Sequence, residues 1–175
     1  MKAGPLSEEA VGSTDAPVTI IEYASMTCPH CANFDVNVFP ALKSRYIDTG
    51  KVRYILREFP LDPLAAAGFM LARCAGENKY FDMVHVLFKQ QKEWVVPKPL
   101  VPLRKIAEEV GFTEASFDAC LADNELLKRI NEVRERAAAQ FGVNSTPTFF
   151  INGRIYRGEM NLNELEQVLK LYLSS

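Results

Sequence analysis

The stretch that decides the fold is Val18-Thr19-Ile20-Ile21-Glu22-Tyr23-Ala24-Ser25-Met26-Thr27-Cys28-Pro29-His30-Cys31. Its first seven residues are rich in β-branched side chains and almost continuously apolar, which reads as a strand buried on both faces. Glu22 in such a strand needs a reason. A polar turn, Ser25-Met26-Thr27, leads to two cysteines spaced by Pro29-His30 where a helix begins. Phe34, Val36, Val38, Phe39, Leu42 and Tyr46 give that helix its apolar face, up to Gly50. Pro40 lies inside it and predicts a kink.

That context makes the Cys-X-X-Cys pattern specific. Cys28 is expected to be exposed at the helix N-terminus, facing unpaired backbone N–H groups and the positive end of the helix dipole. Both stabilise a thiolate, so its pKa should fall below ~8.5. His30 adds positive charge or a hydrogen bond. Cys31, one turn further in, is the shielded partner that resolves a mixed disulfide. Stabilising the thiolate stabilises the reduced form, which makes the disulfide oxidising. A zinc site competes with this reading, but it needs four ligands and only His85, Cys74 and Cys120 remain to complete it. An inert structural disulfide rarely encloses Pro-His at the start of a helix. Neither metal nor cofactor is expected.

Outward from this centre, residues 51–59 form a second strand, closed by Pro60. From 62 to 140 the chain reads as helix after helix. Asp62-Pro63 opens one over 64–75, stopped by Gly76. A second covers 79–93, and the proline-rich 95–102 is a stiff connector. A short helix over 103–110, another after the Thr113 cap and a longer one after the Asp123 cap follow. Leu126, Ile130, Val133, Ala137 and Phe141 line one face of the last, with Glu125–Arg129 and Glu132–Arg136 pairs opposite. The end returns to β: 146–151 and 154–157 flank Asn152-Gly153, a type I′ hairpin signal. Asn161, with Glu164 three residues on, starts a final amphipathic helix. The order is β-α-β, a helical block, then β-β-α.

Thr146-Pro147, leading directly into an apolar strand, is the second notable element, because proline disrupts strand pairing. Beside a Cys-X-X-Cys pair the cis form is expected. It would leave the Thr146 backbone free to pair with an extended peptide.

Composition bounds the function. Across 175 residues, 48% are hydrophobic and 24% charged, which excludes a disordered chain. Twenty Lys and Arg offset 22 Asp and Glu, so no field steers nucleic acid. No run approaches the ~20 apolar residues of a spanning helix. Residues 1–10 have Lys2 but no apolar h-region, so they are not a signal peptide as they stand. The chain is expected to be either cytosolic or a mature form whose leader gave way to a start Met.

Together these residues resemble the DsbA-like thiol:disulfide oxidoreductases of the thioredoxin superfamily. Cys28-Pro29-His30-Cys31 matches that family's active-site tetrapeptide. Glu22, six residues earlier, matches its buried acid, Phe34 and Asp35 match residues after the motif, and Ser145-Thr146-Pro147 resembles its cis-proline segment. Thr146 stands where enterobacterial members carry Val. The resemblance implies a thioredoxin fold, α/β, with an inserted all-helical subdomain. The scaffold is then 12–61 and 143–175, the insertion 62–142, and 1–11 a flexible leader. It further implies a periplasmic oxidase that passes its disulfide to newly secreted or unfolded thiol-containing proteins. A DsbB-type membrane partner would reoxidise it. Glu22 becomes a candidate proton relay for Cys31, or else a buried acid satisfied locally.

Other residues carry expectations of their own. Cys74 and Cys120 are either two buried thiols or a bridge worth about 4 kcal/mol; an oxidising compartment favours the bridge. His85 reads as a packed or rim residue. Trp94 and the prolines after it are loop packing rather than a partner surface. Met26, Phe149 and the Thr146-Pro147 backbone are expected to line an apolar groove beside Cys28 that accepts unfolded chains. With only a short stretch before the first strand there is no room for a dimerisation module, so a monomer is expected. The competing functions are an isomerase or reductase using the same site, a peptide-binding holdase, and a metal chaperone using Cys28, His30 and Cys31.

Overall fold

The structure, a computed structural model, describes residues 1–76 and 78–173. At its centre lies the strand Val18–Ala24 (β2), buried at every position but Thr19. β2 runs parallel to Val52–Glu58 (β3), with Ile20 opposite Tyr54 and Glu22 opposite Leu56. On its other side Thr148–Ile151 (β4) runs antiparallel, with Glu22 opposite Phe149. Arg154–Arg157 (β5) hairpins back along β4. In the turn between them Asn152 and Gly153 have φ of 45° and 83°, the two left-handed positions a type I′ turn requires. The Asn152 side chain accepts from the Thr19 N–H at 2.8 Å and donates to the Pro17 carbonyl at 3.1 Å, fastening the hairpin to the start of β2.

A parallel pair needs a crossover, here Pro29–Asn37 (α1), Phe39–Leu42 (α2) and a π-helical turn, Lys43–Ile47. The single kinked helix expected from sequence is broken at Val38, because Pro40 withholds the N–H that the carbonyl four residues back would accept. Between β3 and β4 run Pro63–Cys74 (α3), Tyr80–Lys89 (α4), Gln91–Trp94 (α5), Leu100–Val110 (α6), Glu114–Leu121 (α7) and Asn124–Phe141 (α8). Asp62, Thr113 and Asp123 each cap a helix through a side-chain oxygen. The helix expected over 79–93 is divided at Gln90. The connector is shorter than expected: α6 starts at Leu100 and takes Pro102 into its first turn, where no intrahelical N–H bond is lost. Leu162–Leu173 (α9) closes the chain after a reciprocal Asn161–Glu164 capping box.

The leader is the main correction. Residues 1–11 were expected to be flexible, yet Glu9–Val11 (β1) pairs antiparallel with β3, giving the sheet order β1-β3-β2-β4-β5. Two cations hold it, one buried (Arg57) and one half-buried (Arg73). Arg57 takes both carboxylate oxygens of Glu8 at 3.1 Å, and Arg73 bonds Glu9 at 2.7 Å and Glu58 at 2.6 Å. Three residues are too few for a strand period to show in the sequence.

The sheet is covered on both faces. Val18, Ile20 and Ala24 pack in one cluster with Phe34 of α1 and with Leu165 and Leu169 of α9. Ile21, Tyr23, Ile55 and Phe150 meet Val133 and Ala137 of α8 in another. Alternation along β2 puts Glu22 on the side of Ile20 and Ala24, beneath α1. Cys74 and Cys120 are joined by a disulfide that ties α3 to α7, with Cα atoms 6.1 Å apart. Among the described residues no helix is long and apolar enough to cross a membrane.

Candidate active site

β2 delivers a tight loop whose last residue, Cys28, is the N-cap of α1. Pro29 occupies the first helical position, where its fixed φ suits a helix start, so Cys31 falls in the first turn, turned inward and fully buried. The helical block holds this loop from the side. Gln91 of α5 donates its Nε2 to the carbonyls of Met26 at 2.9 Å and Cys28 at 3.0 Å. Thr27 donates to one oxygen of Asp62 at 2.6 Å, while the other caps α3.

Three expectations fail here. Cys28 is only 6% exposed, although Pro29 and His30 beside it are open to solvent. Its Sγ is set 3.5 Å from the Thr146 carbonyl, in a recess between the start of α1 and the Thr146–Pro147 bond, which is cis. Met26 does not line a groove. It is fully buried, against Gly68, where an added Cβ would lie 3.1 Å from Met26 and 3.2 Å from Trp94. Phe149 is likewise core, its ring 4.7 Å from that of Phe34. Trp94 does pack, as expected, although in α5 and not in a loop, and it donates to the Leu87 carbonyl at 2.8 Å.

Both cysteines are free thiols, and their environments push them in opposite directions. Cys28 is lowered to about 5. A hydrogen bond from the Cys31 thiol contributes most, burial opposes it, and the Thr146 side chain and the backbone N–H groups of Cys31 and His30 add to the lowering. In the dithiol form the Thr146 Oγ1 is buried without a partner among the described residues, which leaves it ready to donate to an ionised sulfur. Cys31 is raised well above its ordinary value, first by burial, then by its bond to Cys28 and by the charges of Glu22 and Cys28.

Glu22, 2% exposed, is raised to about 8, chiefly by burial. Its Oε2 takes the Tyr54 hydroxyl, which pulls the other way, and its Oε1 has no partner among the described residues. The acid is therefore protonated near neutral pH and faces the same side as Cys31. His30 is exposed, with Nδ1 2.8 Å from Glu159 Oε2. His85 bonds Asp35 at 2.6 Å on the rim of the same helix packing. Among the described residues no cluster of three or more His, Cys, Asp or Glu could hold a metal.

A family model described as Thioredoxin matches residues 6–171. The crystal structure of Wolbachia pipientis alpha-DsbA1 superposes with a TM-score of 0.90 at 32% identity, covering 98% of this chain and 94% of that one. This chain is a DsbA-like member of the thioredoxin family. A Rickettsia bellii protein provisionally named a protein-disulfide oxidoreductase is 34% identical over 149 residues, 84% of this chain and 58% of the relative. The chain thus spans a little over half the length of such curated relatives. A protein-disulfide isomerase structure from Novosphingobium aromaticivorans, at TM-score 0.82 and 23% identity, shares the fold.

For this DsbA-like chain the sequence placed Cys28, Cys31, His30, Glu22, Thr146 and Pro147, and the fold brings them together. It missed Gln91 and Glu159, which reach the motif from 63 and 129 positions away. No local pattern marks either one. The nearest signal for Glu159 is that the β4–β5 hairpin must return the chain to Pro147.

Proposed function

We propose that the chain is a thiol:disulfide oxidoreductase working as a dithiol oxidase on secreted proteins. The observation that carries this reading is the split between the two cysteines, Cys28 lowered to about 5 and Cys31 raised. A substrate thiolate attacks Cys28 Sγ of the oxidised pair, the Cys28–Cys31 bond breaks, and Cys31 leaves carrying the electron pair. A buried thiolate is costly, so Cys31 is protonated at once, and Glu22, neutral near pH 7, is the acid within its shell. A second substrate thiolate then attacks the substrate sulfur, and Cys28 leaves readily because its thiolate is stabilised. Two substrate thiols become one disulfide and the protein gains two electrons. Of the two protons released, one resides on Cys31 and the other passes to solvent.

Thr146, at the mouth of the recess, is the backbone to which an extended substrate pairs, and Pro147 shapes that entry. Met26 and Phe149 support it only from the core. The Cys74–Cys120 bridge favours an oxidising compartment, which suits a periplasmic protein; we read it as a monomer reoxidised by a DsbB-type membrane partner. Equilibration of the Cys28–Cys31 pair in glutathione buffers, read by alkylation and mass, tests the reading. A potential well above about −200 mV supports a disulfide donor. A value near about −270 mV leaves a reductase instead.

A further inference from the structure

We propose that Glu159 is a positioning residue for the reaction at Cys28, acting through the His30 ring; this deepens the oxidoreductase reading and rests on it. Glu159 follows Gly158, whose N–H donates to the Pro147 carbonyl at 2.9 Å. The loop leaving β5 is thereby fastened to the same segment whose Thr146 carbonyl meets the Cys28 sulfur. Gly158 has φ of 88°, a backbone turn that suits glycine and aims the next side chain at α1. The Glu159 carboxylate then spans one turn of that helix. Oε2 lies 2.8 Å from His30 Nδ1, and Oε1 accepts from Asn33 Nδ2. Met160, the next residue, is buried and anchors the loop from behind. A carboxylate gripped at both oxygens fixes Nδ1 as the ring's donor and sets the ring's place beside the motif.

The electrostatic consequence follows by reciprocity. Glu159 and Cys28 are the charged groups that bear on the His30 ring, and both raise its pKa, with the bond to Glu159 contributing most. On the other flank of α1, Lys89, Lys92 and Glu93 line a depression that takes in Pro29 and Asn33 but not His30. If the thiolate favours the imidazolium, the imidazolium favours the thiolate to the same extent. The carboxylate bonds the ring and not the sulfur, so the thiolate responds mainly to the nearer cation. Solvent screens an exposed pair, which keeps the effect modest.

The test uses Glu159→Gln, alone and combined with His30→Ala, in the full chain. Three quantities are read: the Cys28 titration by thiolate absorbance, the His30 titration by NMR, and the equilibrium with glutathione. The chain has only 2 histidines, so the His30 signal is readily assigned. Glu159→Gln is expected to lower the His30 midpoint and raise that of Cys28. It should also shift the exchange of protein dithiol plus oxidised glutathione for protein disulfide plus two reduced glutathiones about two- to fivefold toward the protein disulfide. In the His30→Ala background the same substitution should leave Cys28 unmoved. An equal Cys28 shift without His30, or no shift of the His30 midpoint, overturns the proposal. If the unmutated protein instead fails to exchange with glutathione, the oxidoreductase reading falls. The two titrations need no turnover and still decide the role of Glu159.

Discussion

Cys28 and Glu22 differ from ordinary residues of their type because one charge is sheltered and the other is denied. The Cys28 thiolate has donors from the start of α1, so its pKa of about 5 lies below that of an unfolded thiol. A depressed pKa contributes stability that is full above the unfolded value and is lost as pH falls through the folded one. The oxidised protein has no such group. Between about pH 5 and neutral pH the stability of the reduced form relative to the oxidised form should therefore rise by roughly 2–3 kcal/mol, on top of the pH-independent contribution of the disulfide cross-link. Urea midpoints of both redox forms across that range check this, and a difference that does not change with pH would contradict it. Glu22 runs the other way. Its pKa is raised from 4.5 to about 8, so its contribution is full below the unfolded value and is lost as pH rises through the folded one. Glu22→Gln keeps an acceptor for the Tyr54 hydroxyl and cannot ionise. The variant should gain stability relative to the unmodified protein, progressively between about pH 5 and 8 and on the order of a few kcal/mol at the top. It should also slow the release of Cys31 in stopped-flow exchange. A stability difference independent of pH would mean that Glu22 is not held neutral.

Elements were legible where a local rule fixes them. Asn152-Gly153 announced a type I′ turn because few residue pairs tolerate two left-handed positions, and Asp62, Thr113 and Asp123 announced helix starts because their oxygens satisfy free N–H groups. Division of the helix at Gln90 was not legible, and its consequence is functional: it turns α5 so that Gln91 reaches the active-site loop. Gln91→Met keeps length and bulk but removes both donors, leaving the carbonyls of Met26 and Cys28 buried without that partner. A loss of about 1–3 kcal/mol is expected. Because the Cys28 carbonyl also starts the hydrogen bonding of α1, accepting from Ala32 at 3.1 Å, the Cys28 alkylation profile should move to higher pH. A destabilised variant with an unchanged profile would make Gln91 a packing residue alone.

At the scale of the molecule, the sequence revealed the β-α-β and β-β-α halves and the helices between them, because each half carries its own periodicity. The closure of the N-terminus was hidden, since it depends on ion pairs between distant segments rather than on pattern. Arg73 of α3 bonds Glu58 of β3 and Glu9 of β1, and lies over the Tyr80 ring at 5.1 Å. One guanidinium thus ties the helical block, the central sheet and the leading strand together. Its burial makes the tie consequential: Glu58 is 1% exposed, and a buried carboxylate deprived of its cation is strongly destabilising. Arg73→Met should cost about 3–5 kcal/mol, and Arg73→Lys should recover only part of it, since one ammonium cannot reproduce the fork of donors. The loss should be uneven. Native-state hydrogen exchange should show β1 opening first, because as an edge strand it pairs with β3 alone and the substitution removes the cation bonded to Glu9. The Cys28 titration, set on the far side of β2, should be unchanged in the molecules that remain folded. Uniform loss of protection across the sheet would show instead that Arg73 supports the whole fold and not the attachment of its edge.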